Sequence, residues 1–293
     1  LRKAMKSCVS NMILDNEKAI LLLIDIGAFG FKKFMEEHPN QVKNIGIFEP
    51  GTVSIASGLS LSGMIPTIYG ISPFIVQRSL EQLKLNFVYQ NVGGNFITTG
   101  ASYDFSKLGY SHYCPEDVET LKTLPGMEIL VPGTPKQFET LFSRCSMNDR
   151  PSYFRMTDYC NQIDVPVEFG KATLVKKGKR ATVLVFAEMF DSVMEACKHL
   201  DVTILYYTTA APFDVVTLQN NIENGKLFIC EPFYEGTFST DIIKATKGMC
   251  VTIDEIGVPR QVLRSYGSKR DKDMQLGLTV LNIKKKLTAF LEE

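Results

Sequence analysis

The sequence predicts an α/β protein of two three-layer domains, a larger one on a parallel sheet and a smaller one whose sheet is mostly parallel. Three observations carry that prediction. Runs such as AILLLID (19–25), TIYGI (67–71) and ATVLVFA (181–187) are almost wholly apolar, as strands covered on both faces are. Helical stretches separate them, the rhythm of parallel crossovers. The alternation pauses over 158–170 and restarts, dividing the chain into 1–160 and 161–293.

Taken in order, AILLLID reads as the first strand and NIGIF (44–48) as the second. Residues 50–63 follow with a helical period, and the small residues of 54–63 suit close packing, including against another chain. TIYGI is the third strand. PFIVQRSLEQLKLNFVYQN (73–91) reads as one helix with Pro73 in its first turn. NFITTG (95–100) is a strand, and PEDVETLKTL (115–124) opens with the proline and acids of a helix N-terminus. MEILVPG (127–133), a helix over 135–147 and SYFRM (152–156) close the first block. The second block reads as ATVLVFA, a helix at 191–200, DVTILYY (201–207), KLFICE (226–231), a helix at 240–247, CVTID (250–254) and a last helix at 280–292.

Composition narrows the function. Thirty-two basic residues balance thirty-two acidic ones, so no charge excess points to nucleic acid or an anionic membrane. The longest apolar run, 19–24, is too short to span a bilayer, and the N-terminus shows no signal-peptide pattern. Seven widely spaced cysteines without a CxxC fit free thiols in a reducing cytoplasm, and three histidines are too few for a multi-histidine metal centre. Neither Gly-x-Gly-x-x-Gly nor a Walker loop is present, nor Gly-Asp-Gly followed at a distance by Asn.

One carboxylate stands out. Glu49 falls between a strand-like run and a tightly packed helix, before Pro50 and Gly51. Such an acid can simply serve the helix dipole. Burial favours its neutral form and a helix N-terminus its charged form, so it is also suited to exchanging a proton with a ligand.

NIGIFEPGTVSIASGLSLSGMIP (44–66) resembles the pyrimidine-binding motif of the transketolase family, which includes the deoxyxylulose-phosphate synthases. Four more stretches match in order: ILLLIDIG (20–27), YGISPFIVQRSLEQLK (69–84), LGYSHYCPEDVETLKTLPGMEILVPGTP (108–135) and PSYFRM (151–156). The second block resembles the family's C-terminal domain, with CEPFYEGTFS (230–239) at its Glu-rich loop, so the likeness covers essentially the whole chain.

The resemblance implies thiamine diphosphate as cofactor. Glu49 is then the acid that hydrogen-bonds N1′ of the aminopyrimidine and promotes the tautomer able to deprotonate the thiazolium carbon. Phe74 is the expected stacking aromatic, with Tyr69 a second candidate. Asp25, at the end of the first strand, orients a loop or faces the thiazolium. His112, in Gly-Tyr-Ser-His, contacts substrate oxygens and relays protons. Arg155 is placed to grip a phosphate or carboxylate. Arg78 matches a substrate arginine of the deoxyxylulose-phosphate synthases, but on a helix it could simply pair with Glu81. Two departures stand out: Pro50-Gly51 replaces the common Gln-Asn, and Gly100 falls where well-known transketolases carry a second histidine.

The cofactor of this family binds between two domains, usually of different chains, one holding diphosphate and Mg²⁺ and the other the pyrimidine. This chain resembles the second and lacks the motif of the first. The expectation is the C-terminal subunit of a split, cytoplasmic transketolase that transfers a two-carbon ketol unit between sugars or sugar phosphates. A separate N-terminal subunit would complete it and hold Mg²⁺, in a homodimer or heterotetramer. The alternatives are carboligation of a decarboxylated 2-oxo acid, a silent scaffold subunit, and a fragment of a longer chain.

Overall fold

A computed structural model describes residues 1–293. The chain opens with a helix, Arg2–Asp15, whose Met5, Val9, Met12 and Ile13 are buried. Six parallel strands follow: β1 (Ala19–Leu23), β2 (Val42–Asn44), β3 (Ile65–Ile71), β4 (Gly94–Thr99), β5 (Glu128–Leu130) and β6 (Pro151–Arg155). The rest of the chain supplies β7 (Ala172–Lys176), β8 (Thr182–Phe186), β9 (Thr203–Tyr207), β10 (Thr209–Ala211), β11 (Lys226–Tyr234) and β12 (Thr252–Val258), all but β10 in the sheet of a second unit. The first sheet runs β10-β5-β6-β4-β3-β1-β2 and the second β12-β11-β8-β9-β7. Only β10 and β7 pair antiparallel.

Both faces of the first sheet are covered. Ile20, Leu22 and Ile68 meet Val53 and Ala56 on one side, while Leu21, Leu23 and Tyr69 meet the N-terminal helix and Phe138 on the other. The first of these clusters has 33 buried residues and continues through Ile129 and Tyr153 to Leu184 and Phe186, so one core joins the two units. No helix is long and apolar enough to cross a membrane.

Three expectations need correction. The second strand ends at Asn44, because the Asn44 side chain accepts from the amides of Asp25 and Gly46 and Gly46 turns the chain at φ 81°. Segment 73–91 is not one helix but Ser72–Val76, a turn, Leu80–Gln82 and a wide π-turn, Leu83–Val88. The small-residue face of helix Glu49–Leu61 packs within the chain: Ala56 is fully buried, and Ser57 and Ser60 donate to the carbonyls of Asn86 and Gly93 at 2.6 and 2.7 Å.

Candidate active site

In a parallel α/β sheet, ligands collect beyond the C-terminal ends of the strands. The loops leaving β1, β2, β3 and β4 there carry most of the residues singled out above. Glu49 begins helix Glu49–Leu61 directly after the loop from β2, with Pro50 at the first turn. Gly51 explains the Pro-Gly departure: a Cβ there would come within 1.9 Å of the Phe48 ring, which lies across the helix start. Glu49 is only 4% exposed, yet its Oε2 accepts from Arg78 Nη1 at 2.8 Å. Arg78 therefore pairs with Glu49 rather than Glu81, and it stands in a turn, not in a helix. The turn is wide because the amide of Arg78 reaches back to the carbonyl of Pro73 at 3.2 Å.

The guanidinium carbon of Arg78 lies 4.2 Å from the centre of the Phe74 ring, and Phe74 meets His112 edge-on at 5.2 Å between ring centres. Glu49, Arg78, Phe74 and His112 thus form an unbroken chain of contacts. His112 ends a short turn, Tyr110–His112, closed by its amide on the carbonyl of Gly109 at 3.0 Å. Its Nδ1 is 3.0 Å from Ser111 Oγ. The second unit braces this loop: Tyr113 donates to the carbonyl of Ser265 at 3.0 Å, and Tyr266 packs so closely on Gly109, at φ 86°, that a Cβ would sit 2.7 Å from its ring.

The other expected residues stand apart from this chain of contacts. Asp25 is exposed after β1, its Oδ1 3.5 Å from Asn44 Nδ2. Tyr69 is 3% exposed on the opposite face of the sheet from Glu49's helix, and burial raises the pKa of its hydroxyl. Arg155 does not offer a free guanidinium. It is 1% exposed, Nε donates to Asp117 at 3.0 Å, Nη1 to Glu188 at 2.8 Å and Nη2 to Ser102, and its plane covers Phe233 at 4.8 Å. Burial opposes its charge, but Glu188 and Asp117 outweigh that and hold its pKa above the ordinary value. Arg155 ties the two units together, each of its three nitrogens already engaged and the whole group buried away from any phosphate.

One group escapes the sequence reading. A cavity of about 310 Å³ opens between the N-terminal helix and the loop after β1, lined by Arg2, Lys3, Lys6, Gly27, Gly30 and Tyr69. Its charged lining is all cationic. Arg2 also donates to Thr99 at 3.2 Å and pairs with Asp158 at 2.7 Å. The signal is present in the sequence: three cations in six residues, with no acid in that first turn. A larger cleft of about 460 Å³, lined in part by Pro125, Gly126 and Arg150, opens where β5 and β6 begin, away from these loops.

The chain thus pairs a parallel-sheet unit, in which a buried acid heads a helix at the C-terminal edge of the sheet, with a second α/β unit. Residues 1–158 match the family described as transketolase, pyrimidine binding domain, and the chain belongs to the transketolase family. It is 32% identical to an uncharacterized 33.6 kDa protein in the fasciation locus of Rhodococcoides fascians, over 98% of this chain and 94% of that one. It is 26% identical to one subunit of the apulose-4-phosphate transketolase of Actinobacillus succinogenes, over 67% of this chain and 66% of that one. Among solved structures it superposes on a split gene transketolase described as an inactive β4 tetramer, with a TM-score of 0.88 at 21% identity, covering 99% of this chain and 98% of the other.

Proposed function

We propose that this chain is the C-terminal subunit of a split, thiamine diphosphate-dependent transketolase that moves a two-carbon ketol unit between sugars or sugar phosphates. A separate N-terminal subunit holds the diphosphate and Mg²⁺. The observation that carries this reading is the contact chain from Glu49 through Arg78 and Phe74 to His112 at the strand ends. The relative named as one subunit of an apulose-4-phosphate transketolase supports a two-chain enzyme acting on a sugar phosphate.

The residues fit the pyrimidine half of the cofactor. Glu49 offers a buried carboxylate oxygen and Phe74, beside it, a flat apolar face. When bound, the cofactor supplies the nucleophilic carbon that attacks a ketose carbonyl. Glu49 holds and exchanges the proton at the pyrimidine ring nitrogen. Phe74 orients the ring and excludes water from it. His112 reaches substrate oxygens from its braced loop, and the cavity of Arg2, Lys3 and Lys6 receives an anionic group such as a sugar phosphate.

Calorimetry tests the split site. Alone, the chain is expected to bind thiamine diphosphate weakly or not at all. Co-purified with a partner carrying the Gly-Asp-Gly…Asn pattern, it is expected to bind the cofactor tightly with Mg²⁺ and to transfer ketol units. Tight Mg²⁺-dependent binding by the chain alone would sink the reading.

A further inference from the structure

Arg78 occupies an unusual position. Its Nη1 donates to the buried oxygen of Glu49 at 2.8 Å, and its guanidinium carbon stands 4.2 Å from the centre of the Phe74 ring. A guanidinium is planar and delocalised, carries N–H groups at its edge and stacks on aromatic faces. An aminopyrimidine held at this site draws on the same two partners, one edge on the Glu49 carboxylate and one face on Phe74. The carboxylate oxygen and the ring face that Arg78 uses are therefore the ones a pyrimidine needs.

We infer that Arg78 is a built-in occupant of the pyrimidine seat, and that the cofactor binds by displacing it. This rests on the pyrimidine-site reading above. Three features make displacement feasible. The Arg78 side chain is 45% exposed, so it can swing into water. It projects from a turn between two short helices, so no long helix moves with it. The ion pair is open to water on its arginine side and the cation–π contact adds little, so together they close the seat without sealing it. The affinity observed for a pyrimidine is the intrinsic one reduced by the fraction of molecules whose seat is open. The free subunit thereby keeps a buried carboxylate paired until the cofactor arrives.

The test uses the full chain and thiamine, which carries the pyrimidine without the diphosphate that the partner would hold. Titration followed by NMR is expected to show weak binding to the wild type and binding tighter by about tenfold to Arg78→Met, which removes charge and planarity at similar length. A second measurement needs no ligand. Rotation of the Arg78 guanidinium, read from its side-chain nitrogens, is expected to be slow in the wild type and faster when thiamine is added. Equal or weaker binding by Arg78→Met would overturn the displacement and leave the pyrimidine seat standing, with Arg78 an ally of the ligand. Free rotation in the wild type would overturn the occupancy itself. Failure of both proteins to bind thiamine would overturn the displacement, while the pyrimidine seat itself would stand or fall by the calorimetry on the assembled enzyme.

Discussion

At the scale of single residues, Glu49 separates a structural acid from a chemical one. Glutamine in its place keeps a side chain of similar shape but cannot cycle a proton. In the assembled enzyme, Glu49→Gln is expected to weaken cofactor binding only modestly, since Phe74 and the partner's diphosphate contacts persist. Hydrogen–deuterium exchange at C2 of the bound cofactor is expected to slow by about 10²–10⁴-fold, the usual effect of losing a general acid–base group. An acid that merely served the helix dipole would be worth about 0.3–1 kcal/mol of stability, and exchange at the wild-type rate would return Glu49 to that role. Motif spacing along continuous stretches is enough to single out Glu49, Phe74 and His112. It cannot place Arg155, whose partners Asp117 and Glu188 lie 38 and 33 residues away and meet it only through the fold.

At the scale of elements, legibility follows burial. Strands such as Ala19–Leu23 and Thr182–Phe186 are buried along their whole length, so composition alone reveals them. The three residues of Thr209–Ala211 carry too little pattern to be read as a strand, and β10 exists because the edge of β5 accepts it. Helix Lys269–Leu276 is almost wholly polar, leaving only the Ser268–Asp271 capping box to mark it. For helix Glu49–Leu61 the period reveals the element, but the small residues that suit a partner chain are spent inside the fold. Because Ala56 is buried against Ile68 and Val53, Ala56→Arg is expected to cost about 4 kcal/mol or more in a denaturant melt, as an unpaired charge in a core does. The face turned to water carries Phe48 and, two turns on, Ile55, with Ile47 beside them; they are 58%, 45% and 73% exposed. Ile55→Arg is expected to change stability by no more than about 0.5 kcal/mol while abolishing co-purification with the partner subunit. Normal assembly of that variant would place the interface elsewhere.

At the scale of the whole molecule, the two units share one apolar core, and the seam between them is buried and charged. The Arg155 network lies there, and so do two acids displaced from their ordinary range. Burial raises the pKa of Asp104 to about 7, near Glu188, and it accepts from the amide of Asp158 at 2.6 Å. Burial, with Glu255 nearby, raises that of Glu231 from 4.5 to about 8. Glu231 Oε1 accepts from the amide of Gly236 at 2.7 Å, while Oε2 has no partner. Such acids hold their proton more tightly folded than unfolded. Their contribution to stability is therefore full below the ordinary carboxylate pKa and is lost as pH rises through the folded one, at about 1.4 kcal/mol per unit for each group. For Glu231 the window runs from 4.5 to about 8. Glutamine mimics the protonated acid, so Glu231→Gln should remove this loss while Asp104 continues to titrate. Urea melts at pH 6 and pH 8.5 are expected to show the wild type losing about 2–3 kcal/mol more than Glu231→Gln across that interval. If the two lose stability in parallel, Glu231 is charged within the fold, and the seam must then supply its unpartnered oxygen with a counter-charge.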